Sequence, residues 1–92
     1  KPKVVKVGEL EYLIDAHSTI SDVNEHLPHP LPEDDDYDSV AGLMNVIFDK
    51  IPELGEEIVF GGYKFIVTDK KKNNVDAVKM IRILTEDIDN AQ

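Results

Sequence analysis

The chain has 92 residues, of which 41% are hydrophobic and 32% are charged. These proportions suit a folded protein, so we predict a single domain over residues 1–92 with a polar tail at about 85–92. The formal charge of -9 repels phosphate backbones and argues against nucleic acid as a partner. The chain contains no cysteine, which excludes disulfides and thiolate metal sites.

No membrane-spanning segment or signal peptide is predicted. The apolar stretches are only a few residues long, whereas a spanning helix needs about 20 apolar residues. We therefore expect no direct insertion of this domain into a membrane. The sequence opens at Lys1 without a methionine and ends in polar residues, so we expect the natural protein to be longer.

The first predicted elements are a hairpin and a short helix. Val4 to Val7 and Leu10 to Ile14 are rich in strand-forming residues and lie on either side of a glycine-containing turn. Ser18 or Thr19 then caps a helix that Pro28 ends. The apolar residues of this helix recur at helical spacing: Ile20, Val23 and Leu27.

A proline-rich and then acidic stretch leads to the second helix. Three prolines within residues 28–32 rule out a helix or a central strand there, so we predict an extended connector. The acidic run at 33–38 follows, and adjacent like charges favour exposure to solvent. Asp38 or Ser39 caps the longest predicted helix, and Pro52 stops it. Its apolar stripe comprises Val40, Leu43, Met44, Ile47, Phe48 and Ile51.

Three strands complete the chain. Glu57 to Phe60 and Tyr63 to Thr68 flank Gly61-Gly62, a pair that suits a tight hairpin. A polar turn, Lys70 to Asn74, leads to a last strand, Val75 to Leu84. The apolar residues of this strand change phase, so either a β-bulge shifts the phase or both faces are partly covered.

The predicted order is β-β-α-α-β-β-β. Because hairpins and helices are segregated along the chain, we predict an α+β domain with a mostly antiparallel sheet of about five strands. The long helix should pack its apolar stripe on that sheet.

Several short motifs follow one another between about Glu11 and Ile83. They include Tyr12-Leu13-Ile14-Asp15, Asp36-Tyr37-Asp38-Ser39, Ile51-Pro52-Glu53-Leu54-Gly55 and Phe60-Gly61-Gly62-Tyr63. Each is weak alone, but in this order they resemble the CorC/HlyC-type transporter-associated domain, whose fold is similar to part of the FAD-binding fold of certain oxidases. Ala16 departs from the pattern, since the family often has glycine there.

The resemblance implies a non-catalytic accessory and regulatory domain. Such domains lie on the cytoplasmic side of the cell membrane, within longer proteins linked to the transport or efflux of divalent cations such as magnesium or cobalt. The implied partners are neighbouring CBS and transmembrane domains, with a homodimer as a further possibility. It implies neither a cofactor nor catalytic residues.

The residues of these motifs also have interpretations that require no ligand. Gly42 lies inside a predicted helix at a cost of about 1 kcal/mol relative to alanine, so we expect another backbone to approach it closely. Tyr37, Tyr63 and Phe65 are predicted to be core or hairpin aromatics. Structural or interaction roles are assigned to Tyr37, Gly42, Pro52, Gly61, Gly62 and Tyr63.

The acidic run is also a candidate for weak binding of a divalent cation. Asp34, Asp36 and Asp38 have the first three spacings of a calcium loop. Ser39 and Asn45 stand where such a loop has glycine and a bidentate glutamate. We therefore favour a solvated, helix-capping run, with a cation-sensing module that uses residues 33–38 as the alternative.

The remaining charged candidates are interpreted as surface groups. His17, His26 and His29 are predicted to be exposed, because Pro28 interrupts the helix that would align the last two. Residues 70–72 are three lysines, predicted to form a solubilising turn, with a weak contact to an anionic membrane face as the alternative. The contact surfaces expected to matter are the exposed second face of the sheet and the proline-acidic connector.

Overall fold

The computed structural model describes residues 2–84 and contains a five-stranded sheet with two helices. The elements are β1 (Val4–Lys6), β2 (Glu11–Asp15), α1 (Ile20–Asn24), α2 (Val40–Phe48), β3 (Glu57–Phe60), β4 (Tyr63–Lys71) and β5 (Asn74–Arg82). This order confirms the predicted α+β class. The predicted polar tail at 85–92 lies outside the described residues.

The sheet has the order β1-β2-β5-β4-β3, and each neighbouring pair is antiparallel. The last strand of the chain, β5, therefore lies at the centre. It joins the hairpin of β1 and β2 to the hairpin of β3 and β4. The two hairpins can form from local sequence, whereas the placement of β5 requires pairing between distant parts of the chain.

One face of the sheet packs against both helices and carries the hydrophobic core. The two helices begin side by side, since the Ile20 amide donates to the Asp38 carbonyl and the Val40 amide donates to the Ser18 carbonyl. The buried apolar residues are Tyr12, Ile14, Ala16, Ile20, Val23, Leu31, Val40, Leu43, Met44, Tyr63, Phe65, Val67, Val75, Val78 and Met80. Helix α2 contacts β5 and β3, which confirms that its apolar stripe packs on the sheet.

Helix α1 is shorter than predicted. Thr19 is its N-cap, and its hydroxyl accepts from the Asp22 amide at 3.1 Å. The helix ends at Asn24 rather than near Pro28. Beyond Asn24 the amides of residues 25–27 bond to carbonyls three residues back, and the Asn24 side chain donates to the Leu31 carbonyl at 2.9 Å and accepts from the Leu31 amide at 2.7 Å. These bonds hold the connector against the end of the helix.

Helix α2 also ends before the predicted position. Ser39 is the N-cap, and its hydroxyl accepts from the Gly42 amide at 3.1 Å. The helix ends at Phe48 because Asp49 adopts a left-handed conformation with φ of 58°. Ile51 therefore lies outside the helix and is 39% exposed, so its assignment to the apolar stripe was wrong.

The change of phase in β5 arises from bulges. Between β4 and β5, Val67 pairs with Val78, Asp69 with Ala77 and Lys70 with Val75. The register therefore skips Thr68 on β4 and Asp76 on β5. A bulge shifts which side chains face the core, and Val75 and Val78 are accordingly both buried although they are three residues apart.

Strand β4 extends three residues beyond the predicted Thr68 and changes the interpretation of the lysines. Lys70 was expected in an exposed turn but lies within β4, and its side chain is only 13% exposed. Its ammonium group forms an ion pair with Glu53 at 3.2 Å. The turn itself lies between Lys71 and Asn74.

The glycines of the motifs have different roles. Gly61 and Gly62 have φ of 62° and 87° and form the turn between β3 and β4, as predicted. A side-chain carbon at Gly42 would lie 3.5 Å from the Ser39 hydroxyl and 3.6 Å from the Tyr37 Cβ, which is ordinary contact. The nearest backbone atom, the Tyr37 Cα, would lie at 3.9 Å, so the backbone does not approach Gly42 as closely as expected.

Candidate functional site: the helix-free face of the sheet

The second face of the sheet carries no helix in residues 2–84. The strand register arranges its side chains in two rows across the sheet. One row is Val5, Leu13, Lys79, Ile66 and Glu57, and the other is Glu11, Ile81, Lys64 and Val59. Among the apolar members, Val5 is 41%, Leu13 40% and Val59 63% exposed.

The charges in these two rows are balanced and paired. Lys79 contacts Glu11 at 2.9 Å, and Lys64 contacts Glu57 at 2.9 Å. Each pair links the two rows, so the four charges cancel locally although the whole chain carries -9. A partly apolar surface whose charges cancel can be buried against another protein at little electrostatic cost.

The proline-acidic connector is anchored to the core at several points. The Tyr63 hydroxyl donates to the His29 carbonyl at 2.6 Å and accepts from the His29 amide at 3.1 Å. Burial raises the pKa of Tyr63 above its ordinary value. The Tyr37 hydroxyl donates to the Pro32 carbonyl at 2.5 Å. Residues 28–32 thus form neither a helix nor a strand, as predicted, but the backbone bends at Pro28 and His29 instead of running extended throughout.

The motif aromatics and Pro52 have structural positions. Tyr63 and Phe65 are fully buried, and Tyr37 packs partly buried against the core, which confirms their assignment as core or hairpin aromatics. Pro52 is also buried, beyond the end of α2.

The acidic run borders a cavity of about 300 Å³. Glu33, Asp34, Asp35 and Asp38 line it, whereas Asp36 does not. The pKa of Tyr37 is raised, first by burial and then by the negative charges of Asp34 and Asp36.

These carboxylates do not converge. Within residues 2–84, no group of three or more histidine, aspartate or glutamate side chains has an arrangement that could hold a metal ion. Asp34 instead accepts a hydrogen bond from the Asp36 amide at 2.9 Å. Cation binding by Asp34, Asp36 and Asp38 stays a prediction.

The three histidines are exposed, as predicted, but one of them joins a cluster that the sequence did not reveal. His17 Nε2 donates to Asp76 at 2.8 Å, and the Lys71 ammonium lies 3.5 Å from the same carboxylate. The hydrogen bond from His17 lowers the pKa of Asp76 below its ordinary value. Because 59 residues separate His17 from Asp76, no local spacing could indicate the pair. The change of phase in β5 was the one signal that pointed to this region.

The fold therefore defines a class of small α+β domain with one helix-covered face and one open face. In the part of the chain that the structure describes, no helix is long and apolar enough to cross a membrane.

Comparison with known proteins agrees with the order of motifs. Residues 5–83 match the sequence profile of the CorC/HlyC transporter-associated domain, so the chain belongs to that family. Hemolysin C from Brachyspira hyodysenteriae is 32% identical over 72 residues, which cover 78% of this chain and 27% of that protein. The polyamine export protein of Escherichia coli K12 is 32% identical over 82 residues, which cover 88% of this chain and 18% of that protein. The chain thus spans about a fifth to a quarter of the length of these two relatives.

Solved structures share the fold. A domain from Neisseria meningitidis MC58, described as a putative Mg2+ and Co2+ transporter (CorC) associated region, aligns with a TM-score of 0.81 and 21% identity. The alignment covers 89% of this chain and all of that one. A CorC/HlyC domain from a Xylella fastidiosa Temecula1 hemolysin, solved in complex with Mg2+ and Mn2+, aligns with a TM-score of 0.77 and 23% identity over 90% of this chain and all of that one.

Proposed function

We propose that this chain is a non-catalytic regulatory domain of a longer membrane protein that transports divalent cations. In this proposal residues 1–92 form one domain on the cytoplasmic side of the membrane. It acts through contacts with neighbouring CBS and transmembrane domains, and a second copy of the chain is a further partner. The observation that carries the proposal is the helix-free face, because its two rows are exposed and partly apolar and their charges are paired.

The names of similar proteins support a cation as the cargo. One structural neighbour is described as the associated region of a putative Mg2+ and Co2+ transporter, and one relative is a polyamine export protein. Metal dications and polyamines share a multiple positive charge. We therefore assign the longer protein to cation transport and place magnesium or cobalt first.

Regulation by contact has a thermodynamic requirement. A domain can shift a transporter between two states only if its contact free energy differs between them. The helix-free face meets this requirement if a neighbouring domain covers it in one state and exposes it in the other. The paired charges on the face would then fix the orientation of the contact.

Removal of the domain tests the proposal at the coarsest level. Deletion of residues 1–92 from the full-length protein in reconstituted vesicles should change ion flux or its regulation. Unchanged flux with unchanged regulation would contradict the proposal.

Two matched point variants localise the effect. Val59→Glu adds a charge to the helix-free face, where the new carboxylate lies opposite Lys64 and so should not impair folding. Val46→Glu adds the same charge at a 44% exposed position on α2. We expect only Val59→Glu to alter regulation, and equal effects of both variants would exclude the helix-free face as the contact surface.

The alternative function is a divalent-cation sensor that uses the acidic run. It is supported by the cavity that four carboxylates of residues 33–38 line, and by the Xylella domain solved with Mg2+ and Mn2+. Titration calorimetry with MgCl2 and MnCl2 tests it. Saturable heat below about 1 mM should appear, and it should disappear in Asp34→Asn combined with Asp38→Asn.

The control for this titration is Glu9→Gln combined with Glu25→Gln. It removes the same charge at two exposed positions outside the cavity. An equal loss of heat in the control would show that only the net charge attracts the cation, and the absence of saturable heat in the parent would end the sensor hypothesis.

A further inference from the structure

The sheet has two edge strands, β1 and β3, which differ in how they are protected. An edge strand presents unpaired amide and carbonyl groups, and proteins commonly protect it with lysines, prolines or a short length. Strand β1 has three residues, ends in Lys6 and follows Lys3. Strand β3 contains no lysine or proline, its one charge, Glu57, is paired with Lys64, and Val59 is 63% exposed. The less protected edge is therefore β3.

The register of the hairpin determines which backbone groups of β3 are free. The turn at 61–62 has two residues, so Phe60, directly before it, is hydrogen-bonded to β4. Bonded and non-bonded pairs alternate along an antiparallel ladder, so Ile58 is the next residue that bonds β4. The amides and carbonyls of Glu57 and Val59 therefore point away from β4. Among the described residues, no backbone group of a turn, loop or cap bonds them.

The free groups of β3 are complementary to those of a second copy of the chain. In an antiparallel pair, two residues that face each other through outward groups exchange two hydrogen bonds. Pairing Glu57 with its own counterpart, or Val59 with its own, forms only one such pair. Pairing Glu57 with Val59 of the second copy forms two, because a twofold axis through Ile58 generates the same pair again.

We propose that β3 pairs antiparallel with β3 of a second copy, so that two five-stranded sheets join into one continuous sheet. Ile58 of each copy then contacts its counterpart on the helix-covered face, where it already packs against the core. Val59 lies beside Glu57 of the other copy on the helix-free face. The arrangement is closed, since only the lysine-containing β1 edges stay free, whereas pairing of β3 with β1 would continue into a filament.

The charges allow this contact but keep it weak. Each Glu57 stays paired with Lys64 of its own copy at 2.9 Å, so the two carboxylates that meet diagonally are neutralised. The charge of -9 on each copy opposes association, and salt screens this repulsion. Because β3 has only four residues, the contact is smaller than a standard interface. We expect a dissociation constant on the order of 0.1 to 1 mM for the chain alone, and tighter pairing where other domains hold two copies together.

The inference deepens the function proposed above and rests on the part of it that names a second copy of the chain as a partner. The two can fail separately, because dimerisation is measured on the 92-residue chain and regulation by ion flux in the full-length protein. Val59 belongs both to the helix-free face and to the β3 edge, so Val59→Glu affects both surfaces. Leu13→Ser changes the helix-free face on β2, three strands from β3, and should leave dimerisation unchanged.

The test is hydrogen exchange by NMR, combined with sedimentation velocity, at about 0.05 mM and about 2 mM protein, below and above the expected dissociation constant. The amides of Glu57 and Val59 should exchange several-fold more slowly at the higher concentration. The Ile58 amide, which already bonds β4, should not change. Sedimentation should show a monomer that converts to a dimer without larger species.

Proline variants remove the outward amides one edge at a time. Val59→Pro should weaken dimerisation about tenfold or more, and the fold should be kept because the lost amide does not bond β4. Lys6→Pro is the matched control on β1. Its amide also points outwards, since the next residue, Val7, donates to the Glu11 carbonyl, so this variant should change the dissociation constant less than twofold.

Disulfide trapping tests the register and decides the question if a proline variant does not fold. The chain has no cysteine, so one introduced thiol reports one position. In the proposed register the Cα atoms of the two Ile58 residues lie about 4.5 Å apart, within the range that a disulfide spans. Ile58→Cys should therefore form a linked dimer several-fold faster than Val5→Cys, although Val5 is 41% exposed on the other edge strand.

Three results would overturn the proposal. Exchange at Glu57 and Val59 that does not depend on concentration, with Ile58→Cys no faster than Val5→Cys, would show that β3 does not pair. Slower exchange at Lys6 instead would assign the contact to β1. Species larger than a dimer would show that β3 pairs with β1 in an open arrangement.

Discussion

The two faces of the sheet are made by the same strands but have opposite properties. Phe65 and Ile66 are adjacent on β4, yet Phe65 is fully buried under the helices while Ile66 lies on the helix-free face opposite Lys79. All the residues that β4 contributes to the buried apolar cluster lie on the helix-covered face. Because side chains alternate along a strand, stability and interaction can be assigned to different faces of one sheet.

The helix-free face is different in charge as well as in burial. The buried apolar cluster contains no ionisable carboxylate or ammonium group, whereas the open face alternates apolar residues with the pairs of Glu11 with Lys79 and of Glu57 with Lys64. If this comparison is correct, variants of the covered face should lower the free energy of unfolding. Variants of the open face should leave it nearly unchanged and alter contacts instead.

The largest effect is expected from Phe65→Ala on the covered face. The substitution leaves a cavity in the core and should lower the free energy of unfolding by about 3 to 5 kcal/mol. Urea unfolding followed by circular dichroism measures the change. Ile66→Ala is the matched control on the open face and should cost clearly less. Equal losses for the two neighbours would contradict the division between the faces.

An intermediate effect is expected where the core holds the connector. Tyr63→Phe removes the hydroxyl that bonds the His29 amide and carbonyl, and His29 is exposed, so water can replace the lost partner. We expect a loss of about 0.5 to 1.5 kcal/mol. Hydrogen exchange gives a sharper readout, because the His29 amide should lose its protection while amides in β5 keep theirs. Retained protection at His29 would show that the hydroxyl does not anchor the connector.

The sequence was sufficient for elements whose cause is local. The turn at Gly61-Gly62 and the caps at Thr19 and Ser39 follow from residue types that satisfy nearby backbone groups. Strand β3 begins and ends where predicted for the same reason. Helix ends were less predictable, since α1 stops where Asn24 bonds the distant Leu31 and α2 stops at a left-handed aspartate.

The candidate sites also divide into those that depend on local sequence and those that depend on distant residues. The acidic run was visible as a cluster of like residues, and four of its carboxylates line one cavity, but in the described residues they lack the arrangement that a metal ion needs. A cavity of about 510 Å³ at the bulged end of the open face is lined by Asp15, Asp69 and Asp76, which no motif connects. They meet only because β5 lies between β2 and β4 and because the bulges change the phase. Such a site depends on long-range pairing and register, which composition and spacing do not specify.

A small effect on stability is expected from Leu13→Ser on the open face. Leu13 is 40% exposed, so the change should lower the free energy of unfolding by no more than about 0.5 to 1 kcal/mol. Ile14→Ser is the matched control one residue away, since Ile14 is 1% exposed and should be strongly destabilised. In the full-length protein, Leu13→Ser should alter regulation of ion flux. A loss of stability comparable to that of Ile14→Ser would mean that the open face is part of the core.

The smallest effect is expected at the charged end of the open face, and it depends on pH. The hydrogen bond from His17 lowers the pKa of Asp76 in the folded state below its value in the unfolded chain, which is about 3.9. The ionised carboxylate therefore stabilises the fold at neutral pH, and this contribution is lost as the pH falls through the lowered pKa. Asp76→Asn should be less stable than the parent at neutral pH, and the difference should vanish in acid.

Thermal unfolding of both proteins across the acidic range measures this difference. The comparison with the parent is essential, because the pKa values of Asp22 and Glu56 are also lowered, by hydrogen bonds from Lys3 and Lys50 respectively, and their contributions fall in the same range. These contributions cancel between the two proteins, so the remaining pH dependence belongs to Asp76. A difference that stays constant from neutral to acidic pH would show that packing at the bulge, rather than the charge of Asp76, stabilises this end of the sheet.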